Sequence, residues 1–139
     1  MSIHRTDLAA VTETDLNELI TGGVREGMLI EYKQSRYSRN DDGSKEFLKD
    51  ATSLANTHGG HIVIGMREED GVAVEIIGIG AEGLDEEMQR LENLLRSSIS
   101  PRLIGSRIQP GTTTQGPGLL VPFPKSWSGP HRVDFKGIY

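Results

Sequence analysis

Three carboxylates, Glu26, Glu31 and Glu68, stand where acids can do chemistry. Glu26 and Glu31 bracket the start of one strand-like segment, and Glu68 follows the end of a second. If the two strands are neighbours, the acids converge on a magnesium or manganese ion that activates water against a phosphodiester. The competing reading is plain surface acids at strand ends. A second constellation is basic: Lys33, Arg36 and Arg39 fall within seven residues that also hold Tyr37 and no acid. Cations at that density meet phosphate groups, and Tyr37, or Trp127 further on, offers a ring for an unpaired base. Core or turn packing is the alternative for both aromatics.

Other chemistries are excluded by residue type. With no cysteine there is no disulfide, thiolate zinc site, iron–sulfur cluster or cysteine nucleophile. His4, His58, His61 and His131 lack the spacing of a helical zinc pair. Ser126 and Ser128 have no Gly-x-Ser-x-Gly elbow. Gly78-Ile79-Gly80-Ala81-Glu82-Gly83 is a literal G-x-G-x-x-G between a strand and a helix. However, the helix it opens begins Leu84-Asp85-Glu86-Glu87, and three carboxylates there repel the pyrophosphate a helix N-terminus attracts. No Walker-type Gly-Lys-Ser/Thr occurs.

The chain has 139 residues and a net charge of −5, enough for one domain with a sizeable core. The charge is uneven. Residues 67–92 hold two basic residues against nine acids, whereas 101–139 hold five basic residues against Asp134 alone. The acidic total therefore does not exclude a local basic surface. No apolar run is long enough for a bilayer span, and the N-terminus lacks the apolar stretch of a signal peptide, so a cytoplasmic protein with no membrane partner is expected.

The elements that must position these residues follow from periodicity. Thr12 with Asp15 predicts a capping box opening a short helix that stops at Gly22-Gly23. Alternation over Met28–Lys33 predicts a half-buried strand with Glu31 and Lys33 on its charged face. The turn-rich stretch 40–44 opens a helix with Phe47, Leu48, Ala51, Leu54 and Ala55 on one stripe. His61–Met66 reads as a central strand, Glu69-Asp70-Gly71 as a hairpin turn, and 84–99 as the clearest helix. Short strands are expected at Leu103–Gln109, Leu119–Phe123 and Arg132–Phe135. The mixture predicts an α+β fold: one domain, a mixed β-sheet with about three helices packed on it.

The ordered set of Glu26 to Lys33, Ala55-Asn56-Thr57-His58-Gly59-Gly60, Ile62-Val63-Ile64-Gly65-Met66, Ile77-Gly78, Ile99-Ser100-Pro101 and Val121 to His131 resembles the Schlafen-type Alba-like domain, from about Leu16 onward. The resemblance implies an Alba-like nucleic-acid-binding module, DNA or RNA, of the kind found in bacterial regulators. It assigns residues 24–139 to that domain behind an N-terminal helical segment at 1–23, with the protein continuing into a further C-terminal domain. Phosphate contacts are then expected from Lys33, Arg36, Arg39, Lys45, Arg107, Lys125 and Arg132, with no cofactor needed. It also implies an alternative, since related domains in eukaryotic Schlafens are endoribonucleases whose acidic triad matches Glu26, Glu31 and Glu68. Here Glu68 replaces an Asp and follows Arg67 instead of an acid, and magnesium or manganese would be the cofactor. A dimerising interaction module, a homodimer included, is the third reading.

Overall fold

The structure, a computed structural model, describes residues 11–23, 30–126 and 129–135. Strand β1 (Val11–Thr12) leads into helix α1 (Glu13–Thr21). The predicted capping box is present: Thr12 Oγ1 accepts from the Asp15 N–H at 3.2 Å, and Asp15 Oδ2 accepts from the Thr12 N–H at 3.0 Å. Then come β2 (Ile30–Lys33), α2 (Asp41–Ala55), β3 (Gly60–Ile64), β4 (Met66–Glu69) and β5 (Val72–Ile76). The chain continues through α3 (Leu84–Ser97), β6 (Ile99–Ser100), β7 (Gln109–Thr112), β8 (Gly118–Phe123) and β9 (Arg132–Val133).

Five strands form one sheet in the order β1-β7-β8-β3-β2, with β1·β7 and β2·β3 parallel and the other pairs antiparallel. The pleat sends alternate side chains to opposite faces. Ile62 and Ile64 of β3, with Leu119, Val121 and Phe123 of β8, meet Phe47, Leu48, Ala51 and Leu54 of α2 and Leu91 and Leu95 of α3. Val63 and Leu120 point the other way, joining Leu16 and Leu19 of α1, Ile30 and Tyr32 of β2, and Met66, Ala73 and Ile76 of the β4–β5 hairpin. The fold is α+β, a mixed sheet with three helices packed on it. Because Leu16 and Leu19 lie in that second core, helix α1 is built into the same body.

Helix α2 starts earlier than its apolar stripe, inside the turn-rich stretch. Asn40 Oδ1 accepts from the Gly43 N–H at 2.8 Å, and Asp41 and Asp42 sit in the first turn, where the helix dipole favours them. At the other end Thr57 Oγ1 donates to the carbonyls of Ser53 and Leu54. Gly59 then turns the chain into β3 with φ +82°; a Cβ there would sit 2.4 Å from the Phe123 carbonyl oxygen. Asp70 (φ 52°) and Gly71 (φ 82°) make the expected tight hairpin turn.

One strand expected from the sequence is corrected. Leu103–Gln109 is not a strand: residues 101–108 form a loop in which Gly105 has φ +84°, and pairing begins only at Gln109. The Ile108 N–H goes to Glu92 Oε2 at 3.2 Å instead of to a neighbouring strand. The pairing that replaces it, β7, runs past the expected end of that strand, to Thr112.

Candidate nucleic-acid interface

The basic residues separate into two groups with different surroundings. The first follows β2. Lys33 projects on the α2 face of the sheet, where Nζ lies 3.2 Å from Glu46 Oε2 and 4.8 Å from the centre of the Tyr37 ring. Arg36 Nη2 donates to the carbonyl oxygens of Gly80 and Glu82, the latter at 2.9 Å. The glycine-rich loop thus turns two carbonyls toward a cation of its own chain. Arg39 is 3.7 Å from buried Glu87, and Lys45 is 3.8 Å from Asp42 on the same helix. Each cation of this group therefore has a partner within the fold.

Tyr37 does not present its ring to solvent, and of its two readings core packing is the one that holds. It is buried, with its ring edge-on to Phe47 at 5.1 Å and its hydroxyl donating to Asp50 Oδ2 at 2.6 Å. Burial, then the Asp50 charge, raises the Tyr37 hydroxyl far above its ordinary range. Burial also raises the Asp50 carboxyl, opposed by the Tyr37 hydrogen bond, which lowers it. With its folded value above the unfolded one, ionised Asp50 is a liability: stability falls as pH rises from the unfolded value through the folded one. Tyr37→Phe deletes the opposing hydrogen bond, so Asp50 is expected to titrate at still higher pH, observable in the carbon-13 shift of its carboxyl. Trp127, the other candidate ring, lies outside the described residues.

The second group gathers around one groove. The end of α3 and the loop 101–108 border an open groove of about 390 Å³ lined by Arg96, Arg102 and Arg107, with Leu95, Leu103 and Glu92. All three guanidinium side chains are exposed residues, and none has a carboxylate partner among the described residues. Glu92, the acid in the groove, has its carboxylate engaged by the Ile108 N–H. Arg132 is exposed on β9, in register with Ser100 at the base of the loop. Gly105 lies against Pro124, whose Cγ is 3.1 Å from a Cβ built at that glycine, and the residue after Pro124, Lys125, is exposed. Of these, Arg107, Lys125 and Arg132 are among the candidates read from the sequence, and Arg96 and Arg102 are not. The available signal was their position on either side of the helix-ending Pro101.

The base of this loop is fastened by a polar knot. The His131 Nδ1–H donates to the Pro101 carbonyl, and in the neutral ring Nε2 accepts from the Ser126 hydroxyl, both at 2.5 Å. Asn56, the C-cap residue of α2, bonds the His131 backbone twice through its side chain: Nδ2 donates to its carbonyl at 2.8 Å and Oδ1 accepts its N–H at 2.7 Å.

The three carboxylates are placed as follows. Glu26 lies outside the described residues. Glu31 is half-buried on β2, opposite Ile62 on the α2 face. Glu68 is exposed on β4, and its Oε2 accepts from the Gly71 N–H at 2.6 Å, closing the hairpin turn. Arg67 beside it is held by Glu69 at 2.7 Å and Glu75 at 2.9 Å. Among the described residues no group of three His, Cys, Asp or Glu is placed to hold a metal ion. Nor is any described helix long and apolar enough to cross a membrane.

This α+β fold falls in a known class of domain. The chain belongs to the Schlafen, AlbA_2 family, whose model matches residues 26–139. Among solved structures it is similar to the N-terminal domain of a protein named as ATP-dependent DNA helicase RecG-related, from Nitrosomonas europaea, determined by solution NMR. That likeness has a TM-score of 0.59 at 21% identity and covers 88% of this chain and 80% of the other. No curated protein matches the chain.

Proposed function

We propose that this domain binds nucleic acid, and that it does so through the face built from Arg96, Arg102, Arg107, Lys125 and Arg132. The observation that carries the reading is the convergence of Arg96, Arg102 and Arg107 on one open groove without carboxylate partners among the described residues. Guanidinium groups in such a setting suit phosphate oxygens, to which they donate in pairs. Lys33, Arg36, Arg39 and Lys45, by contrast, serve the fold through Glu46, the 80–82 loop, Glu87 and Asp42. Membership in the AlbA_2 family and the likeness to a domain of a protein named for a DNA helicase support a nucleic-acid role. Binding of this kind needs no metal or cofactor.

The acidic total sharpens what is expected. With a net charge of −5, long-range attraction to a polyanion is weak, so affinity rests on the local phosphate contacts. Fluorescence anisotropy with a labelled duplex across a salt series tests this. Three to five phosphate contacts give a log–log slope of about −3 to −4.5. Binding that does not weaken with salt rejects the proposed face.

A further inference from the structure

The loop between Pro101 and Arg107 carries an unusual side chain at its tip. Ile104 is 80% exposed, the exposed large hydrophobic residue among those described. Its neighbour Leu103 turns inward onto the main core, and Gly105, at φ +84°, reverses the chain immediately after it. Exposure of an apolar side chain is commonplace on a loose loop. This loop is tied at both ends. Ile99 pairs with Val133 and Ser100 with Arg132, the Pro101 carbonyl is held by His131, and the Ile108 N–H is held by Glu92. The fold therefore spends several hydrogen bonds on presenting a branched aliphatic tip to water, flanked in sequence by Arg102 and Arg107 and beside Arg96.

We propose, building on the nucleic-acid reading, that this loop enters the minor groove of duplex DNA and inserts Ile104 between two stacked base pairs. Apolar wedges flanked by cations bind in this way: partial unstacking at one step kinks the duplex and brings the flanking phosphates onto more of the protein. Arg102 and Arg107, on either side of the tip in sequence, take the phosphates bordering the opened step, and Arg96 lines the same groove. The loop offers few side-chain acceptors or donors for reading base edges, so its preference is for steps that unstack cheaply, such as pyrimidine–purine steps.

The test uses duplex DNA containing 2-aminopurine at a TA step, with a donor and acceptor dye at its ends, and a single strand of the same sequence. The wild-type chain is expected to raise the 2-aminopurine fluorescence and shorten the end-to-end distance. Ile104→Ala, at an exposed position where folding is not at stake, is expected to bind the duplex about tenfold more weakly, to lose both signals and to bind the single strand as before. Ile104→Phe should restore both. If Ile104→Ala matches the wild type in affinity and in both signals while binding stays salt-dependent, the wedge is wrong and the phosphate-binding face stands. If the wild type shows no salt-dependent binding to either nucleic acid, both fall. Equal loss by Ile104→Ala on single strand and duplex also overturns insertion, since a single strand offers no stacked pair to open.

Discussion

Glu87→Ala is expected to cost the domain about 3 kcal/mol of stability, seen as a lower urea midpoint with an unchanged slope. Glu87 sits in the first turn of α3 with its side chain 1% exposed, and its carboxylate is contacted by Arg90 at 3.0 and 3.3 Å and by Arg39 at 3.7 Å. Arg90 in turn donates to the Tyr37 carbonyl at 3.0 Å and reaches Ser44 Oγ at 3.5 Å. The acid thus organises the meeting of α3, the loop before α2 and the start of α2 itself. Removing it leaves Arg90, 19% exposed, without its counter-charge in a partly desolvated setting. Removing a buried partner is costlier than never having the pair, because the surviving ion still carries its desolvation penalty. Glu87→Gln, which keeps the shape and some of the hydrogen bonds, should fall between. An unaltered midpoint in both variants would mean that the pair is solvated and contributes nothing.

Replacing Arg96, Arg102 and Arg107 together by Ala is expected to weaken nucleic-acid binding by at least about a hundredfold near 0.1 M salt, and to reduce the salt slope by about 2–3. Folding should be unaffected, since all three are exposed and none is engaged in an ion pair among the described residues. The contrasting set is Lys33, Arg36, Arg39 and Lys45. Its substitution should lower the thermal midpoint through the lost contacts to Glu46, the 80–82 carbonyls and Glu87, with the salt slope nearly retained. Anisotropy and thermal melts on both sets separate the two roles. The reverse pattern, a slope that depends on the β2-side cations, would move the binding face to the other group.

What the sequence disclosed depended on range. The Thr12–Asp15 box, the Asp70-Gly71 turn and the exit at Gly59 are set by residues within a few positions of one another, and their chemistry reads directly from the letters. The alternation of β2 also survived, with Ile30 and Tyr32 inward and Glu31 and Lys33 on the other face. The fate of the basic cluster was not legible. Whether Arg36 is a phosphate ligand or a brace depends on carbonyls more than forty residues away, and Arg39 on an acid nearly fifty residues away. Tyr37 stayed open between stacking and packing for the same reason. A tyrosine between arginines reads as a stacking platform until Asp50 and Phe47, brought in by α2, enclose it. The stretch 103–109 reads as a strand because Leu103 and Ile108 are apolar, but Gly105 breaks the extended path and Glu92 claims the amide that would have paired.

The two bonds between Asn56 and His131 have a wider meaning. A primary amide is a peptide group on a short stem, offering one acceptor and one donor side by side. By using both on the main chain of His131, α2 acts there as a one-residue substitute for a neighbouring strand. The margin of the arginine face is thereby spliced into the helix behind the sheet, so opening that margin requires the end of α2 to let go.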